Sequence, residues 1–226
     1  MSKVSCIIPA YNEGPRIENV LRAVYKHPLI DEIIVVDDHS KDNTAEVVRK
    51  FDGVRLIVHE VNKGKSQAVV AGIRASSGDY LFFLDADLVG IDEQAIFDLI
   101  SPVLKGDADI SISLRINAPR WSRLIGIDYI SGERVFPKKL LAGHLDEILK
   151  LPRFGLESFM NKLIIKNKYR IKIVFWKNVR SPYKAEKQGF FRGLAGEIAM
   201  IYQIFRTIYP WEVIYQVVKM SCQKVN

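Results

Sequence analysis

Acidic side chains follow two apolar runs of the sequence, in a pattern that suits binding of a metal ion or a polar ligand. Asp85 and Asp87 come directly after Leu-Phe-Phe-Leu, and Asp37 and Asp38 come after Ile-Ile-Val-Val. Carboxylates are the ligands that Mg²⁺ and Mn²⁺ prefer, and such ions often join a protein carboxylate to substrate phosphates. Asp85 and Asp87 are therefore candidate metal ligands. Asp38 is a candidate acceptor for ribose hydroxyls or a base N–H. For both pairs the structural alternative is capping of the next helix.

A third candidate is Asn-Lys-Gly-Lys-Ser at residues 62–66, which precedes a helical pattern. Backbone N–H groups and the helix dipole favour anions at such a position. The segment lacks the spacing of a P-loop, and the chain contains no G-x-G-x-x-G, C-x-x-C or H-E-x-x-H motif. These absences argue against a P-loop, a dinucleotide fold and a zinc site.

Strand and helix patterns alternate through the first half of the chain, and they must position these side chains. Continuous apolar runs predict buried strands, and apolar residues at helical spacing predict helices between them. The strands are expected over residues 4–10, 32–36, 54–59 and 80–84, and the helices over residues 17–24, 45–51 and 64–75, with Pro15 in the first turn. This order indicates a mostly parallel α/β sheet with helices on both faces. Ligands bind beyond the carboxyl ends of such strands, so the acidic pairs and Tyr11-Asn12-Glu13 are expected to line one crevice.

The second half of the chain is less regular. Helices are expected over 92–104, 138–149 and 156–167, and irregular structure over 117–132. Strands are expected over 108–114 and 170–179, the latter an alternating or edge strand. A helix is expected over 190–209, with a short helix after Pro210. We therefore expect one domain over residues 1–189 and a helical extension over 190–226.

Composition and charge narrow the class of protein. The 226 residues are 48% hydrophobic and 26% charged, as in a globular chain, with no apolar run long enough to span a bilayer and no signal peptide. Cys6 reads as a buried thiol far from Cys222, so a reduced, cytoplasmic protein without disulfides is expected. Residues 1–149 hold 18 Lys and Arg against 22 Asp and Glu, whereas residues 150–226 hold 15 against 4. The basic third indicates an anionic partner such as phosphates or an anionic membrane. Nucleic acid is disfavoured because no nucleic-acid-binding motif occurs.

Four segments together resemble a known family. They are SCIIPAYNEG, IIVVDDHSKDNT, NKGKSQAVVAGIRASSGDYLFFLDAD and FGLES, in this order. The set is similar to family 2 glycosyltransferases, which have the GT-A fold, over about residues 3–190 and most strongly over the first 90. The resemblance implies a Rossmann-like sheet, a nucleotide-diphosphate-sugar donor and a divalent metal, Mg²⁺ or Mn²⁺.

The resemblance also implies roles for individual residues on the donor side. Asp85 and Asp87 match the D-x-D motif for metal and diphosphate, and Asp38 would hold the base or ribose. The residues that would border the nucleotide are Pro9, Tyr11, Glu13 and Lys65.

On the acceptor side, Glu157 matches the acidic residue of the family's E/D motif. It would deprotonate an acceptor hydroxyl in an inverting transfer, with interaction with the helix dipole as the structural alternative. Glu133 and Asp128 are the other candidate bases, and a retaining reaction on the same fold is the other candidate chemistry. Arg134 lies in a segment that resembles the acceptor side and is expected to reach a phosphate, unless it is an ordinary surface arginine.

One departure from the family concerns the metal. Relatives often carry a histidine ligand before a K-x-E-K-x-G segment, but residues 180–189, RSPYKAEKQG, contain none. Either metal binding is looser here, or Arg180 and Lys184 supply positive charge to the diphosphate. The missing histidine also supports a second hypothesis, a catalytically silent protein that uses the same fold for binding or assembly.

The C-terminal segment suggests where the acceptor is found. An apolar face is expected on each helix, comprising Phe191, Leu194, Ile198, Ile201, Phe205 and Ile208, and then Trp211, Ile214, Tyr215, Val217 and Val218. Amphipathic helices beside basic residues can lie in a membrane interface. We therefore expect peripheral attachment to the cytoplasmic face of a membrane and a lipid-phosphate acceptor, with a sugar-phosphate-type acceptor as the open alternative. The alternatives are packing on the core or pairing with a second subunit, which would make a homo-oligomer.

Overall fold

The computed structural model describes residues 2–152, 155–182 and 210–225. The strands are β1 (Val4–Ala10), β2 (Glu32–Asp37), β3 (Arg55–Val58), β4 (Tyr80–Phe83), β5 (Ile110–Arg115), β6 (Arg134–Pro137) and β7 (Ile171–Trp176). The helices are α1 (Gly14–Val24), α2 (Thr44–Val48), α3 (Lys65–Ala75), α4 (Glu93–Leu104), α5 (Arg120–Ile125), α6 (Lys139–Ala142), α7 (Leu145–Leu149), α8 (Gly155–Lys166) and α9 (Pro210–Cys222).

These strands form one sheet in the order β3-β2-β1-β4-β6-β5-β7. β1 pairs in parallel with β2 and β4, β2 with β3, and β5 with β7. β6 runs antiparallel to both of its neighbours, β4 and β5. The predicted mostly parallel α/β sheet is confirmed, and β7 lies at its edge as expected. The antiparallel strand β6 was not predicted.

Helices cover both faces of the sheet because alternate side chains of each strand point to opposite faces. Cys6 and Ile8 pack in the core formed with α1, α2 and α4. Ile7 packs in the core on the other face, which is formed with α3 and with α6, α7, α8 and α9. β1, β2 and β4 are therefore buried at most positions, which is why their sequences are mostly apolar.

The main differences from the predicted elements lie after residue 115. The helix expected over 138–149 is two short helices separated at Gly143, and α5 lies within the segment expected to be irregular. α5 ends at Gly126, whose φ of 71° is a left-handed conformation that glycine adopts without strain. Earlier in the chain, α2 ends at Val48, three residues before its predicted end.

α9 confirms the short helix expected after Pro210 and packs on α8. Val217 and Met220 are buried against α8 and the rest of that core, and Gln216 is fully buried beside them. The packing alternative for this segment is thus correct for one face of the helix. The helix predicted over 190–209, its apolar face, and the domain boundary expected at residue 189 lie outside the described residues.

The cysteines and the lengths of the helices bear on two further expectations from the sequence. Cys6 is fully buried and both cysteines are free thiols. Among the helices of the described residues, none combines the length and apolar character that a membrane crossing needs.

Candidate active site

An open cleft of about 240 Å³ lies beyond the carboxyl ends of β1, β2 and β4. Its lining includes all seven residues predicted for the donor and metal, namely Pro9, Tyr11, Glu13, Asp38, Lys65, Asp85 and Asp87. The sheet topology explains this convergence, since parallel neighbours present the loops after their carboxyl ends at one edge.

A smaller cavity adjoins the cleft and holds the two remaining predicted residues. Pro9, Lys65 and Asp85 border both spaces, and Glu157 and Arg134 border the smaller one. The structure therefore brings the predicted base, from the first turn of α8, to the predicted metal ligand at the end of β4. Because Glu157 lies at a helix N-terminus, the favourable helix dipole interaction also holds.

Lys65 joins the two halves of this site. Gly64, with φ of 88°, precedes it and caps α3 at the N-terminus. The Lys65 Nζ lies 2.9 Å from Asp85 Oδ1 and 3.1 Å from Glu157 Oε1. Burial favours the neutral amine, but the two carboxylates outweigh it and raise the pKa of Lys65 above its usual range. Burial likewise opposes ionisation of Asp85, yet Lys65 lowers the pKa of that carboxyl. Both groups are charged at neutral pH.

Asp38 orders the loop that precedes α3. Its carboxylate accepts the backbone N–H groups of Lys63 at 2.9 Å and Gly64 at 2.6 Å, and it contacts His59 Nδ1 at 2.8 Å. These contacts occupy three of roughly four lone-pair directions of a carboxylate. The amides of Lys63 and Gly64 thus bind an internal anion, and binding of an external anion by the first amides of α3 stays a prediction. A contact from Asp38 to ribose or base stays a prediction.

The loops after β1 and β2 are held against each other. The Asp42 carboxylate accepts backbone N–H groups from Thr44 and Gly14, each at 3.0 Å, and Thr44 Oγ1 accepts the Glu13 N–H at 2.9 Å. Burial opposes ionisation of Asp42, but these hydrogen bonds lower its pKa. Asp37 accepts the backbone N–H of Ser40 at 2.9 Å. Asp37 and Asp42 therefore fix the cleft wall that carries Tyr11 and Glu13. Asp37 does not cap α2, because its partner Ser40 lies before that helix begins at Thr44.

Asp85 is fitted against a second loop. A Cβ added at Gly132 would lie 2.7 Å from Asp85 Oδ2, so only glycine leaves room for this carboxylate. Glu133, the next residue, is fully buried and hydrogen-bonds to Asp85. Burial raises the pKa of Glu133, and the charge of Arg115 opposes this shift. Sequence reasoning did not identify this contact.

Arg115 compensates the buried carboxylates behind Asp85. Its guanidinium donates to Glu133 Oε1 at 3.2 Å, Asp128 Oδ2 at 3.4 Å and Ser181 Oγ at 2.5 Å. Asp128 and Glu133 are both 0% exposed, and neither lines the cleft or the adjoining cavity. Burial raises the pKa of Asp128 as well. Their use as alternative bases is therefore wrong, because no acceptor can reach them in this conformation.

Among the residues that the structure describes, Arg134 is the largest fully buried side chain. Its Nε donates to the Ser131 carbonyl at 2.7 Å, Nη2 to the Tyr129 carbonyl at 2.8 Å and Nη1 to Asn161 Oδ1 at 2.6 Å. The surface alternative for Arg134 is thus wrong. Its hydrogen bonds attach the 129–131 loop to α8, and a contact with a phosphate stays a prediction.

The segment after β7 closes over the D-x-D loop. Val89 and Arg180 form an antiparallel bridge, and a Cβ on Gly90 would lie 2.2 Å from the Asn178 carbonyl oxygen. The backbone of Arg180 therefore lies beside the loop that carries Asp87, as its predicted role of supplying positive charge to the diphosphate requires. Lys184 lies outside the described residues. Within residues 2–152, 155–182 and 210–225, no group of three His, Cys, Asp or Glu side chains is placed to hold a metal. Asp85 and Asp87 would therefore need ligands from elsewhere.

Comparisons with known proteins identify the family of the chain. Residues 5–140 match the model of the family described as Glycosyl transferase family 2. The chain belongs to this family. The match includes the cleft residues of β1 to β4 and ends before Glu157, so the family assignment itself does not cover α8.

Curated relatives extend the similarity of this family 2 chain. The dolichol-phosphate mannosyltransferase of Pyrococcus furiosus is 28% identical, across 97% of this chain and 67% of its own length. The UDP-N-acetylglucosamine–dolichyl-phosphate N-acetylglucosaminyltransferase of Methanococcus voltae is 30% identical, across 78% of this chain and 86% of its own length. The chain spans only 26% to 36% of several other relatives that it matches.

A solved structure shows the same fold. Glucosyl-3-phosphoglycerate synthase from Mycobacterium tuberculosis, crystallised with Mn²⁺, UDP and glucosyl-3-phosphoglycerate, superposes with a TM-score of 0.64. The superposition covers 80% of this chain and 72% of that one at 23% identity. The predicted GT-A fold is thereby confirmed for this family 2 chain.

Proposed function

We propose that this family 2 chain transfers a sugar from a nucleoside diphosphate sugar to a lipid phosphate, with a divalent metal bound at Asp85 and Asp87. The observation that carries the proposal is the convergence of these carboxylates, Lys65 and Glu157 at one cleft edge. Two relatives are named as transferases to dolichyl phosphate, and the structural neighbour was crystallised with UDP and Mn²⁺. We infer an inverting reaction.

The residues present fit a divalent metal of the Mg²⁺ type. Asp85 and Asp87 supply two carboxylates, and Mg²⁺ is commonly held by one or two carboxylates together with substrate phosphates and water. The close packing of Gly132 against Asp85 fixes one of these ligands. When bound, the metal would neutralise charge that develops on the diphosphate leaving group. Lys65, which contacts Asp85, and Arg180, whose backbone pairs with Val89, would add positive charge.

The donor is expected to occupy the open cleft. Tyr11 is 45% exposed and Pro9 is partly exposed at the end of β1, so both can contact a nucleotide base or ribose. Asp38 and Asp42 hold the loops that shape this pocket. We assign the base and ribose to this side and the diphosphate to the side of Lys65 and Asp85.

The role of Glu157 depends on the class of acceptor. With a hydroxyl acceptor, the oxygen bonds to the sugar C1, the C1–O bond to the diphosphate breaks, and the hydroxyl proton passes to Glu157. A phosphate monoester has a second pKa of about 6 and is largely deprotonated at neutral pH. A lipid phosphate therefore needs little help from a base, and Glu157 would mainly hold Lys65 in place. The effect of Glu157→Gln thus distinguishes the two acceptor classes.

The exposed face of α9 supports an acceptor that resides in a membrane. Trp211, Ile214, Tyr215 and Val218 are 66%, 65%, 53% and 55% exposed, and their spacing places them on one side of the helix. The opposite side packs on α8, the helix that carries Glu157. The excess of basic residues after residue 150 complements anionic lipids. We assign this face to the surface of an anionic membrane, on the cytoplasmic side.

The experiment that tests the donor assignment is a thermal-shift series with UDP, GDP and their sugars, with and without Mn²⁺. A ligand of the native state stabilises it by RT ln(1 + [L]/Kd), about 2.7 kcal/mol at a hundredfold excess over Kd. We expect one nucleotide diphosphate to raise Tm, and more so with Mn²⁺. A catalytically silent binding protein would show the same shift but no transfer. Absence of any shift with all of these ligands would contradict the proposal.

A further inference from the structure

Lys65 contacts both functional carboxylates of the site at once. Its ammonium lies 2.9 Å from Asp85 and 3.1 Å from Glu157, and 43% of its side chain is exposed, compared with 11% for Glu157. The lysine borders both the open cleft and the adjoining cavity. A cation is therefore already bound to the carboxylate that the proposed metal would use.

We propose that Lys65 makes the binding of the divalent metal and of the nucleoside diphosphate interdependent, an inference that rests on the proposed function. A metal ion that approaches Asp85 alone meets an ammonium on the same carboxylate, and like charges repel strongly at short range in a partly buried site. A diphosphate introduces negative charge that attracts both cations. The metal therefore binds weakly alone and more tightly when the nucleotide is present.

Thermodynamic linkage makes this effect reciprocal. If the nucleotide increases metal affinity by some factor, the metal increases nucleotide affinity by the same factor, typically about 5- to 150-fold. The arrangement would also limit occupation of Asp85 by metal ions when no donor is present. Lys65 thus acts as an internal counter-ion of the empty site and as a phosphate-binding cation in the filled site.

Removal of the Lys65 charge should strengthen the binding of one ligand and weaken the binding of the other. Lys65→Met leaves Asp85 and Glu157 without their shared cation, so Mn²⁺ alone should bind about tenfold more tightly than to the wild type. UDP or GDP alone should bind more weakly, because the variant lacks a cation for the diphosphate. The metal–nucleotide coupling should fall, and the part that remains reflects direct contact of the metal with the diphosphate. Loss of structure would weaken both ligands together, so opposite changes cannot arise from a merely damaged site.

The experiment is a titration of the full chain with Mn²⁺, followed by the loss of the free-ion EPR signal, without nucleotide and with UDP or GDP. Lys63→Met is the matched control, because it removes the same charge from an exposed side chain in the same loop and should leave the coupling unchanged. Lys65→Arg keeps the charge and should keep most of the coupling. Melting curves verify folding, and Lys65→Gln replaces the Met variant if that one does not fold.

Two results would overturn the inference in different ways. If the wild type couples Mn²⁺ and nucleotide but Lys65→Met shows the same metal affinity and coupling, Lys65 is not the linking group and the proposed function stands. If the wild type binds neither UDP nor GDP with or without Mn²⁺, both the inference and the proposed function are contradicted.

Discussion

Lys65 and Arg115 together compensate the carboxylates that surround Asp85. Lys65 pairs with Asp85 and Glu157, which border the cavity beside the cleft, whereas Arg115 pairs with Asp128 and Glu133, which are fully buried. Removing one partner from a buried ion pair is strongly destabilising, since the other charge is left without compensation. We therefore regard Arg115 as a residue that maintains the fold behind the site, and Lys65 as a residue of the site itself.

The first prediction at this scale concerns the metal. Asp87→Asn removes a carboxylate from the D-x-D loop and preserves the shape of the side chain. We expect loss of the Mn²⁺-dependent part of nucleotide binding with a nearly unchanged Tm, because Asp87 is only partly buried and asparagine has the same shape. Isothermal titration with UDP or GDP measures it. Asp52→Asn, on an exposed loop, is the control, and full metal dependence in Asp87→Asn would refute the ligand assignment.

The second prediction concerns Glu157. Glu157→Gln keeps the size of the side chain but cannot accept a proton. General-base catalysis contributes about 10²- to 10⁴-fold, so kcat should fall by that amount for a hydroxyl acceptor. For a lipid phosphate at neutral pH the fall should be much smaller. Steady-state rates with a polyprenol and with its phosphate measure both cases. An equally large loss with the two acceptors would show that Glu157 does not act as the base.

Single residues differ in how well the sequence predicts them. Asp85, Asp87 and Asp38 were identifiable because each follows a buried strand, and the family resemblance added Glu157. The contacts of Arg115 and Arg134 were not, because their partners lie far apart in sequence and no local pattern reports them. A charged residue in an apolar strand, such as Arg134 at the start of β6, was the available signal.

At the scale of elements, the predicted structure is most accurate where a strand is buried on both sides. β1, β2 and β4 consist of continuous apolar residues, and a parallel central strand demands them. β6 has four residues, one of them charged, and its place between β4 and β5 depends on long-range pairing. Short helices α5 to α7 were missed or merged because packing, and not periodicity, determines their ends.

The third prediction concerns Glu32, at the end of the sheet opposite the site. Its carboxylate accepts the Ser77 N–H and the Ser5 hydroxyl, each at 2.5 Å, which connects β1, β2 and the turn before β4. Burial opposes ionisation, but these hydrogen bonds lower the pKa of Glu32 below 4.5. A carboxyl group whose pKa is lower in the folded than in the unfolded state stabilises the fold at pH values above its unfolded pKa. That contribution is lost as the pH falls through the folded pKa.

Glu32→Gln should therefore be less stable than the wild type at neutral pH by about 1 kcal/mol, because hydrogen bonds to a charged carboxylate contribute more to stability than hydrogen bonds to a neutral amide. The difference should shrink as the pH is lowered through about 4. Urea unfolding at several pH values measures it. Glu60→Gln, at an exposed position, should show no such trend. A difference that grows towards acid would contradict the assigned direction of the pKa shift.

At the scale of the whole molecule, charge and apolar surface are unevenly distributed. Residues 1–149 are acidic on balance and supply the cleft, whereas residues 150–226 carry 15 basic and 4 acidic residues. α9 turns one apolar face to the core and leaves the other exposed. The sequence predicted the amphipathic character of this segment, but only the structure separates Val217, which is buried, from its exposed neighbours.

The fourth prediction concerns this exposed face. Replacing Trp211 and Ile214 with serine should reduce binding to anionic vesicles about tenfold or more, because burial of apolar side chains in the interface drives such binding. Flotation of the protein with vesicles at low salt measures the bound fraction. Phe97→Ser, which alters a partly exposed ring on α4, is the matched control and should float normally. If the wild type does not float with anionic vesicles, this face pairs with protein, and a non-membrane acceptor follows.

The central claim is that the cleft transfers a sugar from a nucleoside diphosphate sugar to a lipid phosphate. The most direct measurement incubates the full chain with radiolabelled UDP and GDP sugars, Mn²⁺ and polyprenyl phosphate in anionic vesicles, and then extracts the lipid. We predict labelled lipid with one of the donors, little label with EDTA or with Asp87→Asn, and release of the nucleoside diphosphate in equal amount. If the protein binds the nucleotide but no label appears in the lipid or in an added hydroxyl acceptor, the claim is contradicted. That result would favour the catalytically silent alternative.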